Sequence, residues 1–184
     1  MKFFDTALPE VKRVELTIHR DYRGFFCEHF RADAWENAGI GAPIVQENHS
    51  RSLPHVLRGI HFQHTPAQGK LVGVVRGKVM DVAVDLRPNS SNFGKYVRAE
   101  LSDENGCLLW VPPGFGHGFC VMGDGPADVV YHTTGYYNAA GEGGIAYNDP
   151  DIAIAWPIAN PVVSERDRAL PRLKDVPRDV LNRL

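Results

Sequence analysis

Cysteine is scarce in this 184-residue sequence, and the three present, Cys27, Cys107 and Cys120, are odd in number and far apart. That pattern argues against a disulfide framework and against a thiolate zinc site, and reads as reduced thiols in a core. Nor is there a surplus of either charge: 20 Lys and Arg stand against 22 Asp and Glu. No global field would therefore gather nucleic acid or an anionic membrane, and any anionic ligand must be held by local arginines. No apolar run approaches the roughly 18 residues that span a bilayer. The opening MKFFDTALPEVKRVEL also lacks the apolar stretch of a signal peptide. These absences predict a cytoplasmic protein with neither a nucleic-acid nor a membrane partner. Repeats, low-complexity tracts and linkers are missing too, so residues 1–184 are expected to form one domain around one sizeable core.

What is abundant is punctuation, with 18 Gly and 13 Pro. From Val11 to Thr133, short runs of Val, Phe and other β-formers are interrupted every ten residues or so, a rhythm that predicts an all-β fold. In the run Lys78 to Arg87, Met80, Val82, Val84 and Leu86 share one face while Asp81, Ala83 and Asp85 take the other, so one apolar face is expected to be buried. Lys70 to Val75 leads into Arg76-Gly77, read as a tight hairpin turn. Further strands are expected over Gly106–Val111 and His117–Met122. Helix is predicted only at Ala32–Ala38, stopped by Gly39, and in the tail Val176–Leu184, beginning just after Pro177. Many short strands in one domain suggest two sheets closed on each other, a jelly roll or cupin barrel with short peripheral helices. The Gly-, Asn- and Pro-containing stretch Tyr136–Pro161 is expected to be loop-rich and to cover the barrel mouth.

The densest chemical constellation is Arg58-Gly59-Ile60-His61-Phe62-Gln63-His64, followed by Lys70 and later by Pro113-Gly114-Phe115-Gly116-His117. Strict alternation cannot point both Arg58 and His61 inward, so a bulge or a strand end must intervene. The arrangement resembles the two cupin motifs. However, Lys70 stands where metal-binding cupins carry a glutamate, and an ammonium beside a metal is repulsive. A metal is therefore not expected. His, Lys and Arg without a metal suit proton abstraction beside a ketone. A neutral imidazole takes the proton, and Lys70 holds the enolate oxygen by a charge-assisted hydrogen bond. Inversion needs an acid on the opposite face. Tyr131 is the candidate, with Tyr137 as fallback, and Asp167 could orient the imidazole. His19, His29, His49, His55 and His132 are read as structural or surface residues, and Trp110 and Trp156 as packing anchors.

Seven stretches occurring in order make the reading specific: Asp21 to Glu28, Gln46 to Ser50, Leu57 to Gln63, Lys70 to Val72, Pro113 to Phe119, Tyr147 to Pro150 and Ser164 to Asp167. Together they resemble the motifs of the 4-dehydrorhamnose 3,5-epimerases. That resemblance implies His61 as base, Tyr131 as acid, Asp167 as the partner of His61 and Lys70 as enolate stabiliser. It implies Arg58 and His117 at the nucleotide diphosphate, with Arg23 joining them from a second copy in a homodimer. Glu28 would meet the thymine edge and Phe26 and Tyr137 would stack. Gln46, Glu47, Asn48, Glu142 and Arg166 would complete the polar lining. No cofactor is implied. The alternatives are an epimerase that inverts only one centre, a non-catalytic cupin that binds a nucleotide sugar, and a metal-dependent cupin oxygenase.

Overall fold

Strands with one inward and one outward face are stable only when a second sheet covers the first. The computed structural model, which describes residues 1–40 and 43–184, has that arrangement. In chain order the strands are β1 (Lys2–Asp5), β2 (Lys12–Glu15), β3 (Ile18–Asp21), β4 (Gly24–Cys27), β5 (Gln46–Ser52), β6 (Val56–Gln63), β7 (Lys70–Arg76), β8 (Lys78–Asp85), β9 (Tyr96–Ser102), β10 (Cys107–Val111), β11 (Phe115–Val121), β12 (Ala127–Thr133), β13 (Glu142–Gly144) and β14 (Val162–Val163). Among the described residues three short α-helices accompany them: α1 (Ala32–Asn37), α2 (Glu165–Arg168) and α3 (Arg178–Leu181). One sheet runs β1-β2-β10-β7-β12-β5 and the other β13-β6-β11-β8-β9. From β5 to β12 the chain moves between the sheets as a jelly roll requires, and the fold is the expected cupin-like sandwich.

Between the sheets lies a core that includes Val72, Val74, Val79, Ala83, Leu109, Phe115, Phe119 and Val129. A second apolar layer covers the outer face of the β6-β11-β8 sheet, where Ile60, Val82, Val84 and Leu86 meet Ile145, Ile152, Leu173 and Leu181. A third, built from Trp35, Trp110, Leu71 and Leu108, packs α1 against the other sheet, to which β1 and β2 belong. Trp156 packs into the second layer and donates from Nε1 to Tyr147 O at 2.8 Å, so both tryptophans named above are packing residues.

Several local expectations are corrected. β8 buries both faces, not one: Val82 and Val84 lie under the C-terminal cover, while Asp81, Ala83 and Asp85 face the interior. The two carboxylates are tolerated there because each is paired, Asp81 with His117 and Asp85 with Arg87 and Ser90. The Arg76-Gly77 corner is not a hairpin. β7 pairs with β10 and β12 whereas β8 pairs with β9 and β11, so Gly77 (φ +77°) carries the chain from one sheet to the other. A Cβ on Gly77 would meet Pro126 O at 2.5 Å. The tail helix is shorter than expected, Arg178–Leu181, although it does start after Pro177. Helix α2 was not foreseen. Of the Tyr136–Pro161 stretch, Tyr137 and Glu142 border a cavity between the sheets, but Ile145, Ile152 and Trp156 cover the outer face of one sheet instead.

Candidate active site

On β6, Arg58 and His61 fall on the same face because the ladder slips between them, His61 over the cavity and Arg58 at the exposed edge of that face. His117 pairs with His61 and Phe119 with Arg58, so two steps on β11 span three on β6. This bulge is the device that strict alternation demanded. Gly59 sits in it at φ +118°, and a Cβ there would lie 2.6 Å from Gly118 Cα. Beyond the slip, Ile60 and Phe62 pack outward and His61 and Gln63 turn inward.

His61 lines a cavity of about 240 Å³ together with Gln46, Asn48, Gln63, Gln68, Lys70, Tyr131, Tyr137 and Glu142. The lining comes from both sheets. β5 contributes Gln46 and Asn48, and β12 contributes Tyr131, the ladder partner of Asn48. β7 begins at Lys70, and β13 begins at Glu142, the ladder partner of Gln63. Imidazole, ammonium and phenol thus share one wall-to-wall space.

Asp167 reaches the site from α2. Ser164 caps that helix, its Oγ accepting from Asp167 N at 3.0 Å, which fixes the start of a turn too short to hold itself. The buried carboxylate then accepts from His61 Nε2 at 2.8 Å through Oδ1 and from Gly59 N at 3.0 Å through Oδ2. One residue therefore orients the imidazole and pins the bulge. With Nε2 donating, the lone pair of the neutral ring lies on Nδ1.

The electrostatics suit proton transfer. Burial pushes His61 below the ordinary imidazole value, against the pull of Asp167, and the Lys70 and Arg166 cations push the same way as burial. The ring is therefore neutral at pH 7 and able to accept a proton. Burial brings the Lys70 ammonium down to about 8, with Glu142 and Asp81 opposing. Burial raises the Tyr131 phenol, partly offset by Arg58, so the group keeps its proton until one is required. Glu142 is pushed up by burial, but its hydrogen bonds with Arg166 and Tyr137 outweigh this and hold it below the usual carboxylate range.

Other residues singled out in the sequence lie elsewhere. Glu47 points to the opposite face of β5 from Gln46 and Asn48, where it meets His132 Nε2 at 2.8 Å. Arg58 stands exposed outside the cavity lining, donating from Nε to Ser52 Oγ at 2.9 Å. Arg166 binds Glu142 Oε2 at 2.9 Å without itself lining the cavity. His117 is buried, with its Nε2 2.9 Å from Asp81 Oδ2. Arg23, Phe26 and Glu28 belong to the β3-β4 hairpin or its exit. That hairpin is a separate two-stranded sheet, and within one chain none of the three lines the cavity. Conversely, Gln68 and Asp81 were not singled out for the site. Gln68 precedes Gly69-Lys70 without any motif of its own, and Asp81 was hidden in a strand pattern that assigned it to the polar face.

Similarity to known proteins agrees with this geometry. The family profile for dTDP-4-dehydrorhamnose 3,5-epimerase matches residues 5–175. The chain is 47% identical to the enzyme of that name from Shigella flexneri, over 91% of this chain and 93% of the relative. It is 51% identical to the Neisseria gonorrhoeae protein of that name over 92% of this chain, which spans only 52% of that longer relative. Among solved structures, the Legionella pneumophila dTDP-6-deoxy-D-glucose-3,5-epimerase in complex with dTDP-4-keto-L-rhamnose superposes with a TM-score of 0.95 at 43% identity, covering 100% of this chain and 98% of that one.

Proposed function

Because the chain belongs to the dTDP-4-dehydrorhamnose 3,5-epimerase family, we propose that it inverts C3 and C5 of a 4-keto-6-deoxy sugar carried on deoxythymidine diphosphate. The single observation behind the assignment of roles is that His61, Lys70 and Tyr131 line one cavity between the two sheets. Both carbons flank the ketone, so each C–H is acidified by the same carbonyl. His61 Nδ1 removes the proton, the electron pair moves onto the ketone oxygen, and Lys70 stabilises the resulting oxyanion. Tyr131 returns a proton from the other side of the ring, and Asp167 holds the imidazole and balances its charge once protonated. The cycle uses no external electron carrier.

Gln46, Asn48, Glu142 and Arg166 are assigned to the polar lining, Tyr137 to the base, and Arg58 to the diphosphate. We assign the remaining contacts to a second copy. The β3-β4 hairpin exposes Tyr22 (96%) and Phe26 (70%), more than a hairpin with no cover of its own would be expected to leave in water. In a homodimer it would bring Arg23, Phe26 and Glu28 to the neighbour's cavity. Residues 1–184 act as one domain, and the three free thiols suit the reducing cytoplasm.

Incubation with substrate in deuterated water tests the reaction. Two deuterons per sugar, incorporated in the presence of chelator, are the expected result, and none would end the proposal. One deuteron would favour the second reading, inversion of a single centre. A specific similarity favours that alternative: the chain is 40% identical to a dTDP-4-dehydrorhamnose 3-epimerase from Streptomyces niveus over 80% of its length.

A further inference from the structure

The segment Gly135–Asn138 follows β12 and borders the cavity without belonging to a strand. Its backbone groups must find partners elsewhere. Gln63, 4% exposed on β6, partners two of those groups, Tyr136 O and Asn138 N. Its Nε2 donates to Tyr136 O at 3.1 Å and to Pro66 O at 3.0 Å, and its Oε1 accepts from Asn138 N at 2.9 Å. Between these, Gln46 Oε1 accepts from Tyr137 N at 3.0 Å. The Tyr137 hydroxyl donates to Glu142 Oε2 at 2.9 Å, and Glu142 is the ladder partner of Gln63. Although 59% exposed, Tyr137 is thus fixed on both sides of its backbone and at the tip of its ring. Gln63 lines the cavity, yet both its amide hydrogens are already committed to carbonyls, so it has no donor left for a ligand.

We propose that Gln63 is a positioning residue for nucleotide recognition, holding the Tyr136–Asn138 segment so that the Tyr137 ring stands ready at the cavity mouth. The inference rests on the reading of Tyr137 as the surface on which the base stacks. A segment ordered before the ligand arrives loses less freedom on binding. The base is remote from the reacting carbons, so the benefit is the same in ground and transition states and falls on KM, with kcat spared.

The test measures kcat and KM with the dTDP-linked 4-keto sugar for Gln63→Ala, Gln63→Glu, Tyr137→Ala and the Gln63→Glu/Tyr137→Ala double variant. Gln63→Glu keeps the size and the acceptor but loses both donors, so it still reports if Gln63→Ala fails to fold. The expected result is a rise in KM of about tenfold for either Gln63 variant. A change in kcat of no more than about twofold should accompany it, and Gln63→Glu should add little in the Tyr137→Ala background. If Tyr137→Ala raises KM while Gln63→Glu does not, the positioning role is overturned and the stacking reading survives. Fully additive effects, or a loss in kcat with KM unchanged, also overturn it. If Tyr137→Ala itself leaves KM unchanged, the stacking reading fails and the inference falls with it.

Discussion

Two aspartate–histidine pairs face each other across one ladder step, and only one of them opens to the cavity. His61 and His117 are partners on β6 and β11, and each offers Nε2 to a buried aspartate. The His61 side chain is 25% exposed and that of His117 8%, while their carboxylates are 5% and 0% exposed. The first carboxylate comes from a short capped helix distant in sequence and divides its oxygens between the ring and a backbone N–H. The second comes from a neighbouring strand and gives both oxygens to one ring nitrogen. In the proposed mechanism the first pair supplies the base, while the second is a closed, hydrogen-bonded pair inside the fold. Access to the second ring nitrogen makes the difference.

The largest test of this contrast is His61→Ala, expected to lower deuterium exchange by about 10⁴-fold, the upper range for a general base, with little change in Tm. His117→Asn should behave oppositely. It strands Asp81, whose carboxylate is fully buried, and a loss of about 3 kcal/mol in denaturant unfolding is expected, with a much smaller change in kcat than His61→Ala. Asp167→Asn should cost about a hundredfold in kcat, because an amide can donate to the ring and favour the wrong tautomer. If the two aspartate substitutions, Asp81→Asn and Asp167→Asn, had equal effects on rate, the distinction between the pairs would fail. The pH profile gives a smaller, sharper test. Activity needs His61 neutral and Lys70 charged, so kcat/KM should rise through an acid limb below the usual imidazole value and fall above about pH 8. Lys70→Arg, which keeps its charge, should remove the basic limb even though it slows the reaction.

Much of this was readable from residue order alone. The punctuated β rhythm specified two sheets, and the spacing of Arg58 and His61 required a strand irregularity, which Gly59 supplies. The sheet-crossing corner at Gly77 was not readable, because a positive-φ glycine after a strand looks the same whether the next strand pairs beside it or joins the opposite sheet. The burial of Asp81 and Asp85 escaped for a related reason. Alternation distinguishes two faces but does not say which is covered, and a carboxylate signals solvent until its partner is known, His117 far along the chain for Asp81 and Arg87, two residues on, for Asp85. Helix α2 is a single turn held by one serine and by the groups that Asp167 binds, so no periodicity announces it. The hairpin carrying Arg23, Phe26 and Glu28 is of another kind, since it lies away from the cavity within one chain and its assignment to the site rests on the proposed homodimer.

Gly59 has a consequence for how this scaffold can change. Shortening β6 by one residue at Gly59 or Ile60 would preserve a β-strand of the same composition and hydrogen-bonding capacity. It would also rephase every side chain on the N-terminal side against those beyond, exchanging the interior and exterior assignments of Arg58 and His61 relative to each other. Such a deletion would produce a catalytically silent protein without removing any of its reactive groups. Insertions and deletions in this strand are thus a separate class of lesion from substitutions, invisible to any inventory of conserved chemistry.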